Sequence, residues 1–258
     1  MELMMERTKQ AATLEGQMNG YWKDRSESYS AQNLGQFFGE KRAAWEEKLF
    51  GNWTQGRSLR VLDIGTGPGF FAILAALRGH KVTAVDMSQE MLQKAQANVR
   101  MTGVSIQLQQ VGNRLPFAQE SFDLIVSRDV TWTLTEPEEQ LQHWASLLAP
   151  GGEMLYFDAE WYAYLRTEAH RKEYERKKRE IREKGGFLYQ KANDMEQVAY
   201  HLPLTHQVRP QWDREYWARQ NGFDCWVEEA LNEVVYSPVE QMQYESFPEF
   251  LVHVRRRK

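Results

Sequence analysis

The sequence holds one cysteine, Cys225, among 258 residues. That excludes an intrachain disulfide and a cysteine-based zinc site. No run approaches the ~20 apolar residues that cross a bilayer. The opening residues MELMMERTKQ contain no apolar stretch of the kind that leads a secretory signal. These absences predict a cytoplasmic protein with no membrane partner. Positive charge is not in excess: the net charge is −4 and the pI about 5.9, which argues against a broad nucleic-acid-binding face. The histidines show no metal-ligand spacing, so no metal is expected. Internal repeats and low-complexity linkers are also missing. With 42% hydrophobic and 26% charged residues, the chain reads as globular.

Val61 to Phe70 reads VLDIGTGPGF. Its apolar start suits a buried parallel strand. Gly65, Gly67 and Gly69 follow, and Phe70–Leu77 has the pattern of a helix. A strand, a glycine turn and a helix form the first half of a βαβ nucleotide-binding unit. Glycines there let backbone approach a ligand closely. A dinucleotide fingerprint, G-x-G-x-x-G, would need glycine at Phe70, and no Gly-Lys-Ser/Thr completes a phosphate loop. A second strand, Lys81–Val85, runs into Asp86, 21 residues beyond Gly65 (86 − 65). That is close to the position of a ribose-binding acid, whose carboxylate accepts both hydroxyl protons. The other reading of Asp86, an N-cap for a helix over 89–100, suits Ser88 better, as a cap by position alone.

The D-x-G-x-G-x-G spacing, with Asp63 leading and Thr66 inside the turn, resembles motif I of the class I S-adenosylmethionine (SAM) methyltransferases. SFDLIVSRDV, residues 121–130, resembles motif IV of that family, and LLAPGGEMLYFD, 147–158, its approach to strand five. The likeness covers about 100 residues from Leu59 and returns in the terminal strand pair. It is nearest the small-molecule branch of ubiquinone and menaquinone biosynthesis. It implies an α/β, three-layer, Rossmann-like fold with a seven-stranded sheet in the order 3-2-1-4-5-7-6 and a helical cap insertion. The implied organisation is an N-terminal helical lid over 1–50, a SAM-binding core over 51–159, a cap over 160–209 and the rest of the core sheet over 210–258.

By the same resemblance, SAM is the cofactor and S-adenosylhomocysteine the product. Asp63, Gly65, Thr66, Gly67, Gly69, Asp86, Ser127 and Arg128 belong to the cofactor site, and Tyr29 reaches it from the lid. Met87 packs on the adenine. Val111 stands where the family often has an aspartate that accepts from the adenine amino group, so Gly112 (through its N–H) and Asn113 are the expected substitutes. Tyr21, Trp22 and Arg25 line the substrate side, joined by Trp161 and Tyr200 of the cap. Trp132 is either core or pocket wall. His201, His206 and Asp129 are candidate proton acceptors.

Elsewhere the pattern predicts a polar frayed helix or mobile arm over 1–20, a helix over 33–50, a helix over 136–148 capped by Thr135, a turn at 149–152 and a charged helix over 166–184. That last helix is expected to carry the i,i+4 pairs Glu168/Lys172, Glu173/Lys177, Glu175/Arg179 and Glu180/Lys184 and to end at the hinge-like Gly185-Gly186. No D/N-P-P-Y/F occurs, which argues against an adenine- or glutamine-directed N-methyltransferase. Three functions stay open: a small-molecule methyltransferase, an RNA or protein methyltransferase, and a non-catalytic SAM binder. Homo-oligomerisation is open as well.

Overall fold

Apolar residues alternate sides along the predicted strands, and the sheet forms on that alternation. In a computed structural model, which describes residues 2–53, 56–185 and 195–258 and side chains from Thr13 onward, seven strands form one sheet in the order β3-β2-β1-β4-β5-β7-β6. They are β1 (Arg60–Ile64), β2 (Lys81–Asp86), β3 (Gln107–Gln110), β4 (Phe122–Arg128), β5 (Leu148–Asp158), β6 (Phe223–Glu228) and β7 (Phe250–Arg256). The first five are parallel. Strand β7 runs antiparallel between β5 and β6. The expected fold class and strand order are borne out.

Val61, Leu124, Val126, Leu155, Phe157 and Leu251 face one layer of helices. That layer includes α2 (Arg42–Phe50), α3 (Phe70–Leu77), α4 (Gln89–Thr102) and α9 (Asn232–Val235). Leu62, Ile125, Met154, Tyr156 and Val252 face the other way, onto α5 (Pro137–Ser146) and α8 (Gln211–Ala218). Burial on both faces explains why β4 is buried along its whole length. A third apolar cluster lies outside these layers. Leu14 and Met18 of α1 (Glu2–Phe38) meet Trp132 and, from α7 (Glu196–Tyr200) and its flanks, Met195, Val198, Ala199 and Leu202. It ties the N-terminal helix to the insertion after β5.

Several local expectations need correction. Of the two readings of residues 1–20, a frayed helix or a mobile arm, the helix holds: it continues into the predicted 33–50 helix as α1, 37 residues long, with α2 following. The break falls at Gly39, where a Cβ would lie 2.7 Å from the Gly35 carbonyl oxygen. Thr135 does not cap α5, whose N-cap is Glu136 with Pro137 following. Residues 149–152 lie within β5, where pairing with β4 shifts register between Phe122 and Leu124. Residues 231–249, not anticipated as helical, hold α9 and α10 (Pro238–Gln243). On α6 (Glu168–Glu183) only the Glu168/Lys172 pair forms as expected. Arg176 instead reaches Glu173 and Glu180, and Lys178 takes Glu175. Gly185 sits at φ 76° beyond the end of α6, and Gly186 lies outside the described residues.

Ser88 is more than a cap by position: its Oγ accepts from the Met91 N–H at 3.2 Å, and the residue is fully buried. Ser88→Ala is therefore expected to cost about 1 kcal/mol of stability, checked by urea denaturation.

Candidate functional site

The chain runs outward from β1 to β2 and β3 and then crosses to β4 on the other side of β1, so a crevice opens at the carboxyl ends of β1 and β4. A cleft of about 840 Å³, counting its open mouth, fills that place. Its floor comes from β1, β2, β4 and the segment after β3. Met18, Trp22 and Tyr29 of α1 form its cover.

The glycine turn is held from behind. Asp63 is buried, and its Oδ2 accepts from Thr66 Oγ1 at 2.7 Å and from the Ala72 N–H at 3.0 Å. Burial pushes its carboxyl up to about 7. Gly65 and Gly67 line the cleft with φ of 67° and 52°, in the left-handed region where glycine carries no Cβ penalty. A Cβ on Gly65 would lie 2.2 Å from Val130 Cγ2. Gly69 turns away and packs towards Ala95 of α4. Ser127 also sits behind the surface, donating from Oγ to the Ile64 carbonyl at 2.9 Å. Asp63, Thr66, Gly69 and Ser127 thus shape the turn, while Gly65 and Gly67 meet the space.

Asp86 lines the cleft and is buried, which pushes its carboxyl up to about 6. Its Oδ2 accepts from the Gly67 N–H and its Oδ1 from the Ser88 N–H, both at 2.8 Å. A carboxylate offers about four lone-pair sites, so it retains capacity for two further donors. Met87, Val111, Gly112 and Asn113 form the adjoining wall, and Asn113 Nδ2 donates to Glu15 of α1.

The opposite end is ionic and aromatic. The Arg128 guanidinium lies 4.8 Å from the Trp45 ring centroid and 5.3 Å from that of Phe70. Its Nε reaches Asp129 Oδ2 at 3.4 Å. Tyr29 donates its hydroxyl to the same oxygen at 3.2 Å. Burial and the neighbouring Asp129 push the Tyr29 phenol well above its usual range, so it remains a donor. Asp129 holds φ of 58°, uncommon for a residue with a side chain. Trp132 Nε1 donates to its carbonyl at 3.0 Å, which makes Trp132 a buried brace.

Of the substrate-side residues, Trp22 lines the cleft, and Tyr21 packs edge-on against it at 5.2 Å. Arg25 stands 5.6 Å from the Tyr29 ring centroid. Trp161 and Trp132 border a second, smaller cavity of about 230 Å³ with Tyr162, Arg166 and Arg209. The structure does not bring Tyr200, His201 or His206 to the cleft. Val198, Ala199 and Leu202 take the inward face of their segment, leaving Tyr200 53% exposed and both histidines on the outer surface. There His206 Nε2 donates to the Tyr200 carbonyl at 2.6 Å. Of the three proton-acceptor candidates, only Asp129 lines the cleft.

Sequence reasoning passed over Asp158 and Glu249. Asp158, at the end of β5, accepts from the Trp132 and Ala159 N–H groups and from Trp161 Nε1. Its place at a strand's carboxyl end was the available signal. Glu249 is fully buried and accepts from the Tyr236 hydroxyl at 3.0 Å. Among the described residues, no group of three or more His, Cys, Asp or Glu could hold a metal, and no helix is long and apolar enough to cross a membrane.

Comparison with known proteins bears out the resemblance over the core. Residues 62–156 match the family model described as a methyltransferase domain. The chain is 35% identical over 127 residues to a malonyl-[acyl-carrier protein] O-methyltransferase of Erwinia billingiae, covering 49% of each chain. It is 32% identical over 121 residues to a ubiquinone biosynthesis O-methyltransferase of Caulobacter, covering 46% of this chain and 48% of that one. It spans less than half the length of these curated relatives. In three dimensions it resembles a SAM-dependent methyltransferase of Aquifex aeolicus, with a TM-score of 0.55 and 15% identity over 91% of this chain and 98% of that one. The fold is that of SAM-dependent methyltransferases.

Proposed function

We propose that the protein is a SAM-dependent methyltransferase with a small-molecule acceptor. One observation carries this reading: the Gly65–Gly67 turn, Asp86 and the α1 residues Trp22 and Tyr29 converge on one cleft at the sheet's switch point. The residues fit SAM. The turn offers backbone without side chains for the amino acid end, Asp86 has acceptor capacity left for ribose hydroxyls, and Met87, Gly112 and Asn113 suit the adenine. SAM supplies an activated methyl group, so the protein's work is alignment and exclusion of water.

Each residue then has a task. Asp63 and Thr66 hold the turn, and α1 acts as a lid through Met18, Trp22 and Tyr29. Tyr29, Arg128 and Asp129 bound the transfer end, with Trp132 and Trp161 towards the acceptor. The likeness to a malonyl-[acyl-carrier protein] O-methyltransferase and a ubiquinone biosynthesis O-methyltransferase supports a small-molecule acceptor. The single cysteine supports a cytoplasmic setting, and the acidic pI supports a small-molecule acceptor over nucleic acid.

Asp86→Ala should weaken SAM binding by tenfold or more in calorimetry of the full chain; unchanged affinity would remove the cofactor assignment. The pH dependence has a definite sign. An unperturbed aspartate titrates near 3.9, and this one is pushed up to about 6. Below about pH 6 the carboxyl gains a proton and loses acceptor capacity. SAM affinity should therefore fall as pH drops from 7 to 5, and Asp86→Asn should flatten that fall.

A further inference from the structure

Among the described residues, the ionisable groups lining the cleft are Tyr29, Asp86, Arg128 and Asp129. The only cation of the four, Arg128, already meets Asp129 at 3.4 Å. Arg128 lies against the rings of Trp45, Phe70 and Phe71, with its side chain 7% exposed. Its Nη1 has no hydrogen-bond partner among the described residues, nor do Asp129 Oδ1 and Glu249 Oε1. Around that one guanidinium stand two carboxyl groups, Asp129 beside it and Glu249 behind it, and the tyrosines Tyr29, Tyr236 and Tyr244. Asp158 also faces Asp129 from β5, but its own cation is Arg209 at 2.9 Å. Burial pushes both carboxyls up, Glu249 well above its usual range, while Arg128 and the Tyr29 hydroxyl draw Asp129 back towards its charged form.

Asp129 is the member of this group that reaches the cleft, and its position is enforced. Its N–H donates to the Phe157 carbonyl and its carbonyl accepts from Trp132, both at 3.0 Å, across a left-handed backbone. Such a conformation persists only where the surroundings over-determine it. The next residue, Val130, abuts Gly65, so the carboxylate is pinned beside the glycine turn. Its polar contacts, to Tyr29 at 3.2 Å and Arg128 at 3.4 Å, are both long and both to Oδ2. The rings of Tyr29 and Trp22, with centroids 5.5 Å apart, add π faces that also favour a cation.

We infer that Asp129 makes this cleft selective for positive charge at the transfer end, so that it holds a cationic sulfonium donor more tightly than the neutral thioether left after transfer. The inference rests on the proposed SAM site and deepens it. Loss of the methyl cation's charge from the donor removes the attraction to Asp129, which favours product release. Asp86, at the other end of the cleft, is common to both ligands and does not discriminate between them.

The test is calorimetry of the full chain with SAM, S-adenosylhomocysteine and sinefungin, which carries an ammonium in place of the methylsulfonium. The wild type should bind SAM and sinefungin about tenfold or more tightly than S-adenosylhomocysteine. Asp129→Asn, nearly isosteric and tolerant of a left-handed backbone, should bring that ratio close to one while changing S-adenosylhomocysteine affinity less than about threefold. A wild-type ratio at or below one overturns the inference, as does an Asp129→Asn protein that keeps the wild-type ratio. The wild-type comparison decides the matter even if the variant does not fold. Failure of the wild type to bind any of the three ligands instead rejects the SAM site itself.

Discussion

Gly65→Ala is expected to destabilise the fold and to abolish measurable donor binding. Two costs combine at this position. A left-handed backbone, here φ 67°, costs a residue with a Cβ about 1–2 kcal/mol. The new methyl would also stand 2.2 Å from Val130 Cγ2, well inside contact distance, and overpacking of this kind costs about 1–3 kcal/mol. Together they amount to roughly 2–5 kcal/mol, a large share of the ~5–15 kcal/mol that holds a domain together. At about 2–4 °C per kcal/mol for a chain of this size, scanning calorimetry should record a clear fall in Tm. The clash has one identifiable partner. Val130→Ala in the same chain should recover the overpacking part and leave the backbone part. Binding should not recover with it, because the methyl still projects beside the turn. A Gly65→Ala protein with wild-type Tm would mean that the turn can shift, and that close approach is not what the glycine supplies.

That glycine was legible because its warrant is local. A strand, a glycine-rich turn and a helix follow one another between Arg60 and Leu77, and apolar alternation along β1, β4 and β5 sets which faces are buried. Asp86 was legible for the same reason, since it ends the next strand. What escaped depends on distance in sequence or on competition between faces. Tyr29 meets Asp129 across 100 positions, and Glu153 meets His253 across the same span. Neither pairing has a periodic signature. The histidines of the insertion were chosen for their chemistry, yet the apolar residues Val198, Ala199 and Leu202 decide which side of that segment turns inward. The continuity of α1 was not read, because its early residues are polar and suit a frayed helix or an arm equally. Leu14 and Met18 are enough to dock it, and their partners Trp132 and Met195 lie far along the chain. The helices of 231–249 are too short to announce themselves by period, and α10 is marked mainly by its cap, in which Ser237 Oγ and the Ser237 N–H both meet Glu240 Oε2.

The second large effect belongs to Arg209. Its side chain is 2% exposed and satisfies two carboxylates that are fully buried. Nη1 reaches Asp158 at 2.9 Å, Nε and Nη2 reach the two oxygens of Asp213 at 2.9 and 2.7 Å, and Nη2 also reaches Thr131 Oγ1 at 2.9 Å. The network continues through Tyr156, whose hydroxyl donates to Asp213 and accepts from Trp217 Nε1, both at 2.9 Å. Removing one member of a buried ionic cluster leaves charge uncompensated, which typically costs about 3–5 kcal/mol. Arg209→Met, similar in bulk, should fall in that range by urea denaturation. Arg209→Lys should recover only part, because a single ammonium cannot reproduce a fork that engages two carboxylates at once. The double variant Arg209→Met with Asp213→Asn should cost less than the sum of the two singles, since each removes what strands the other. The consequence for the site follows from Asp158, which also fixes the Trp132 N–H and Trp161 Nε1. Trp132 in turn holds the Asp129 carbonyl. Loss of Arg209 should therefore loosen the transfer end while leaving the glycine turn and Asp86 in place. Folded Arg209→Met protein should keep most of its S-adenosylhomocysteine affinity and lose much of its preference for charged donors. Additive double-variant energies would instead make Arg209 and Asp213 independent contributors.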